Sequence, residues 1–234
     1  MKSTIVEIRK RLEGESDEKT RLAGQRFFKG ELKSYGLRNP VVHAIAKEFY
    51  KKIDNPEKPK IFEGCELLWQ SGYNEEALIA CDWSFYVKKQ YQPEDLERFV
   101  FWIDNYVNNW ASCDTFCNHS MGAFIEKYPE AINRLKHMTT SENRWMRRAA
   151  AVSLIVPARK GNFFKEILEI AFLLLEDKDD LVQKGYGWML KEASKKHQQE
   201  VFDFVIKHKA TMPRTALRYA IEKMPKELKA KAME

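Results

Sequence analysis

Apolar side chains recur along this chain with a helical period. Ile5, Ile8 and Leu12 form one stripe, and Val42, Ile45, Ala46 and Phe49 a second. Phe99, Val100, Ile103 and Val107 form a third, and Ala150, Leu154 and Ile155 a fourth. All fit the spacing of one helix face. Apolar and polar residues never alternate for long, and no Asn-Gly or Asp-Gly pair marks a hairpin. Breakers divide the pattern into helices expected at 3–13, 17–31, 40–53, 58–71, 74–88, 94–107, 110–126, 129–138, 142–157, 163–176, 179–195, 198–207, 212–223 and 225–233. Pro40, Pro93, Pro129, Pro213 and Pro225 stand near helix starts, where a missing N–H costs little. Residues 55–59 read as a loop.

So many short helices predict an all-α fold, an α-solenoid of HEAT-like antiparallel helix pairs, in a single domain over 1–234. Trp110, Arg148 and Trp188 lie 38 and 40 residues apart, and Trp69 precedes Trp110 by 41. Spacing near 40 belongs to HEAT or armadillo repeats. An irregular helical bundle is the alternative.

Composition supports a folded chain: 44% hydrophobic and 32% charged residues in 234, with only 10 Gly and 8 Pro. Four cysteines are too sparse for a disulfide scaffold. No apolar run approaches the ~20 residues of a membrane span, and the charged N-terminal stretch has no signal-peptide core. A cytoplasmic location is expected.

The net charge of +6 is unevenly spread. Residues 1–60 hold 15 Lys/Arg against 9 Asp/Glu, residues 61–130 hold 4 against 12, and residues 131–160 hold 7 against 1. Residues 161–190 hold 3 against 6, and residues 191–234 hold 11 against 6. Such segregation suggests a polyanionic partner, nucleic acid first. Basic faces of solvated helices are the plainer reading.

Three segments could carry chemistry. In Asn108–Thr115, Trp110 and Asp114 are four apart and share a helix face. An indole beside a carboxylate can hold positive charge, though a packed Trp with an acid near a helix start reads the same way. In Arg144–Ala151, three arginines open a helix against the dipole preference, which points to phosphates or a carboxylate, while a solvated basic edge with Arg144 and Arg148 one turn apart is the plainer reading. In Gln183–Lys191, two glycines sit inside a helix at ~1 kcal/mol each, which close packing or backbone approach to a partner would explain. Trp188 would share a face with Lys184 and Lys191. The stretch 26–40 mixes aromatics and cations, as a nucleic-acid surface or an ordinary capped helix end would. Cys113, Cys117 and His119 lack a fourth ligand, so no metal is expected. No P-loop, dinucleotide, HExxH or GxSxG motif is present.

Together these segments resemble the AlkD-like DNA alkylation repair glycosylases, a family of HEAT-like repeat proteins. The matching residues are Trp110-x3-Asp114, Arg148 within Arg147–Ala150, Trp188 within Gly187–Lys191, and the turn Ser34-Tyr35-Gly36-Leu37-Arg38-x-Pro40. The resemblance implies a concave basic face on duplex DNA and excision of cationic alkylpurines such as N3-methyladenine and N7-methylguanine. It implies Asp114, Trp110 and Trp188 as the catalytic cluster. Arg148 would grip phosphate and help position Asp114. Many relatives carry a tyrosine where Phe27 stands, so a phenolic contact would be lost while an aromatic surface remains. Arg147, Lys184, Lys191, Arg38 and Phe27 are the further candidate DNA contacts. The expected protein is a cofactor-free monomer. Two alternatives are a non-catalytic HEAT-repeat protein for distorted or branched DNA, and a protein-interaction scaffold using the acidic stretch 61–130.

Overall fold

A computed structural model describes residues 1–234. Every regular element is helical. The α-helices are α1 (Lys2–Gly14), α2 (Glu18–Gln25), α3 (Asn39–Lys51), α4 (Lys58–Trp69), α5 (Asn74–Tyr86), α6 (Asp95–Asn105), α7 (Trp110–Phe116) and α8 (Gly122–Lys127). They continue as α9 (Ile132–Met138), α10 (Arg144–Val152), α11 (Ile155–Lys160), α12 (Phe164–Leu173), α13 (Asp180–Ala193), α14 (Gln198–His208), α15 (Arg214–Ala220) and α16 (Lys226–Met233). No helix is long and apolar enough to cross a membrane.

Three expected helices differ from those observed. The helix expected over 17–31 ends at Gln25, because the Gln25 side chain closes the following loop. Its amide donates to the Gly30 carbonyl at 2.7 Å, and its oxygen accepts from Leu32 N–H at 2.9 Å. The helix expected over 110–126 contains a π-helical turn, Cys117–Met121, between α7 and α8. The helix expected over 142–157 breaks into α10 and α11. There Ser153 Oγ turns back to the Ala149 carbonyl at 2.7 Å, and Pro157 falls in the first turn of α11, where it needs no N–H.

The chain forms two compact units, Met1–Ser120 and Met121–Glu234. The first is built on a core of aromatic rings. Phe62, Phe99, Trp102 and Phe116 meet mostly edge to face, and the buried Trp83 indole donates to the Ala46 carbonyl at 2.9 Å. The second packs smaller residues, among them Ala149, Ala150, Val152, Ile167, Ile170, Met189 and Val205.

A repeat becomes visible at the helix starts. The residues capping α3, α5, α7, α10, α13 and α15 are Arg38, Tyr73, Asn109, Asn143, Asp179 and Pro213. The intervals are 35, 36, 34, 36 and 34 residues. The period is therefore nearer 35 than the 40 read from Trp69, Trp110, Arg148 and Trp188. Those four occupy different places in their helices: Trp69 ends α4 and Trp110 begins α7, while Arg148 and Trp188 lie inside α10 and α13. Within the first unit α3 packs on α5 and α5 on α7. Within the second, α10 packs on α13 and α13 on α15.

Candidate nucleic-acid interface

The helices bearing the candidate residues start on side-chain caps. Asn109 accepts from Ser112 N–H at 3.0 Å, Asn143 from Trp145 N–H at 2.9 Å, and Asp179 from Leu181 N–H at 2.9 Å. The fifth residue after each start is, in chain order, His43, Leu78, Asp114, Arg148, Lys184 and Arg218. Five of these six are polar or charged. His43 is held above its ordinary pKa by a 2.7 Å hydrogen bond to Asp82.

In the first unit, Trp110 and Asp114 both lie on α7 and are half-buried. Trp110 is set by the loop after α2. Its ring stacks on Phe28, with centroids 5.2 Å apart and planes within 13°, and its Nε1–H donates to the Phe27 carbonyl at 3.2 Å. The Phe27 ring is 75% exposed. That loop is held by a buried carboxylate on α5. Glu75 accepts from Ser34 Oγ at 2.7 Å, Tyr35 N–H at 3.1 Å, Gly36 N–H at 2.9 Å and Leu37 N–H at 3.1 Å. Beside it Glu76 takes the Tyr35 hydroxyl at 2.9 Å and Arg9 at 3.0 Å. Burial first, and then that hydrogen bond, push the Tyr35 phenol well above its usual pKa. Gly36 has φ of +87°, and a Cβ there would meet the Asp17 carbonyl oxygen at 2.3 Å, so only glycine fits the turn. Glu75, and the stacking of Phe28 on Trp110, are not legible in the sequence, because these contacts span about forty and eighty residues. Arg38 is exposed at the start of α3.

In the second unit the arginines of α10 find their counter-charges inside the chain. Arg144 pairs with Asp179 at 2.9 Å. Arg147 pairs with Asp177 at 2.7 Å and also donates to the Ser141 and Glu142 carbonyls. Arg148 is buried, 5% exposed, and donates to the Leu181 carbonyl in the first turn of α13. The choice left open by the sequence, phosphate or carboxylate, falls to carboxylates for Arg144 and Arg147. Lys184 pairs with Asp180 at 2.8 Å and Lys191 with Glu222 at 2.9 Å. Trp188 is half-buried on α13 between them in sequence.

The two glycines of α13 are explained by packing. A Cβ on Gly185 would lie 3.3 Å from Arg148 Cγ. One on Gly187 would lie 2.7 Å from both the Ala216 carbonyl oxygen and Tyr219 Cβ on α15. Cys113 and Cys117 are buried and His119 is exposed, and no group of three or more His, Cys, Asp or Glu residues is placed to hold a metal.

A family model described as DNA alkylation repair enzyme matches residues 8–224. The chain belongs to that family. A solved structure described as a predicted DNA alkylation repair enzyme from Enterococcus faecalis is similar, with a TM-score of 0.80 and 18% identity. The match covers 90% of this chain and 97% of that one. At that identity the likeness shows the shared fold, which is all-α and solenoid-like. No curated protein matches. The DNA alkylation repair family match runs from within α1 to just past α15 and includes most of each unit.

Proposed function

We propose that this DNA alkylation repair family member is a monofunctional DNA glycosylase. It would hydrolyse the N-glycosidic bond of cationic alkylpurines, N3-methyladenine and N7-methylguanine, in duplex DNA during base excision repair. The observation that carries the reading is the pairing of Trp110 with Asp114 on one face of α7, inside a family match covering nearly the whole chain. A purine alkylated at N3 or N7 already bears positive charge, so it leaves without a general acid. The barrier lies in the oxocarbenium-like sugar formed as the C1′–N bond lengthens. Asp114 would stabilise that charge electrostatically. The faces of Trp110 and Trp188 would add ~0.5–2 kcal/mol each. Water then adds to C1′, and Asp114 receives its proton. The products are a neutral base and an abasic site. No cofactor or metal takes part, and a cytoplasmic monomer with one HEAT-like domain suffices.

Duplex affinity would come from cations on phosphates. Arg38 is exposed and ready for such contact, and the exposed Phe27 ring offers the duplex an aromatic surface. Arg147, Lys184 and Lys191 already hold carboxylates, so a phosphate would replace one anion by another. Arg148, tied to α13, would present its guanidinium from a fixed position. Release of free base from duplex carrying N7-methylguanine, measured with protein in excess at low salt, tests the reading. Release well above the spontaneous rate is expected. Salt-sensitive binding to junctions and lesion duplexes alike, without excision, would establish the non-catalytic alternative instead.

A further inference from the structure

The repeat continues one helix beyond the residues discussed so far. α15 packs against α13 so closely that Gly187 admits no Cβ. Arg214 and Arg218 lie one turn apart on α15. With Thr215, Tyr219 and Glu222 they line a groove of about 520 Å³. Arg218 stands fifth after Pro213, the place that Asp114, Arg148 and Lys184 hold after their own helix starts. It differs from Arg147, Lys184 and Lys191 in its partners. Arg218 is exposed and no carboxylate engages it. Arg214 donates only to the Met233 backbone carbonyl, at 3.2 Å. The one acid lining the groove, Glu222, is already taken by Lys191 at 2.9 Å and Lys223 at 3.6 Å. Those lysines hold the Glu222 carboxyl below its usual pKa, Lys191 through the stronger hydrogen bond. Two exposed guanidinium groups therefore share the groove with Thr215 and Tyr219.

We propose that Arg214 and Arg218 form a phosphodiester-binding subsite, each taking a backbone phosphate of the duplex. Their planar donor forks match phosphate oxygens in a way that a lysine point charge does not. The inference rests on duplex DNA being the ligand, but not on base excision. It places a sequence-independent grip on α15, directly against the helix that carries Trp188.

The test is the affinity of the full-length protein for an undamaged labelled duplex, followed by fluorescence anisotropy across a salt series. Each phosphate contact contributes about 0.9 to the slope of log K against log salt. The Arg214→Gln/Arg218→Gln double variant should have a slope shallower by about 1.8, with affinity near 0.1 M salt lower by about tenfold. Arg214→Lys/Arg218→Lys should keep most of the slope. Lys207→Gln/Lys226→Gln, which removes two exposed charges outside the groove, should leave the slope intact. An unaltered slope in the Arg→Gln pair would overturn the subsite. So would an equal loss in the Lys207/Lys226 variant, which would mark a general charge effect. Loss of inorganic phosphate binding with duplex affinity intact would make the groove a small-anion site and also overturn it. Wild-type protein that binds duplex steeply with salt but releases no base would sink the glycosylase reading and leave the subsite standing.

Discussion

Trp110 presents one ring face to Phe28 and hangs its indole N–H on the Phe27 carbonyl, which fixes the rotamer a lesion would meet. Removing the Phe28 ring should therefore act on excision more than on binding. A stacked aromatic pair is worth ~0.5–1.5 kcal/mol, so Phe28→Ala should slow single-turnover base release by about 3–10-fold. Affinity for undamaged duplex should stay within about twofold, and Phe28→Tyr should restore the rate. Full-rate excision by Phe28→Ala would show that the stack positions nothing. The Trp110–Asp114 pair was legible in the sequence because both residues obey a local helical spacing. The loop that seats Trp110 was not. Residues 26–31 carry no strong breaker before Gly30; what ends the helix is the pair of Gln25 side-chain hydrogen bonds to the loop, whose later turn is held by Glu75, about forty residues further on. The arginines of α10 show the same limit. Their mismatch with the helix dipole was readable, but the carboxylates that relieve it, Asp177 and Asp179, belong to the approach to α13.

At the level of helices, the repeat is marked by starts rather than by tryptophans. The apolar stripes were sufficient to place nearly every helix, since 3.6-residue periodicity is local and each stripe is buried as expected. The period was obscured because Trp110, Arg148 and Trp188 sit at different depths in helices that begin 34 and 36 residues apart. Asn109, Asn143 and Asp179, good N-cap residues each, carried the truer signal. Packing between successive helices of this series depends on small contacts. Gly187→Ala gains ~1 kcal/mol of helix propensity, yet places a methyl 2.7 Å from the Ala216 carbonyl oxygen and the Tyr219 Cβ. Overpacking of that kind costs ~1–3 kcal/mol, and the backbone oxygen cannot swing aside. The variant should melt a few degrees lower, at about 2–4 °C per kcal/mol for a chain of this size. Gly24→Ala on α2, where a Cβ meets nothing within 4 Å, should melt at the same temperature or higher. A Gly187→Ala protein as stable as wild type would contradict the close approach of α13 and α15.

Across the whole molecule, the segregated charge is in good part self-complementary. The basic stretch 131–160 meets acids further along the chain through Lys136–Glu169, Arg144–Asp179, Arg147–Asp177 and Arg159–Glu192. The formal +6 therefore overstates how many cations are free for a polyanion. Exposed arginines without acidic partners, such as Arg218, count for more than the raw segment totals. The acidic and basic runs were plain in the sequence, whereas their mutual pairing needed the fold. What remains central is the carboxylate on α7. The decisive measurement is base release from N7-methylguanine duplex by wild type and Asp114→Asn in parallel, with duplex affinity measured for both. Loss of one well-placed electrostatic group lowers rate by about 10²–10³-fold, so Asp114→Asn should bind duplex as wild type does and release base at least about a hundredfold more slowly. Excision by Asp114→Asn at the wild-type rate would contradict the account.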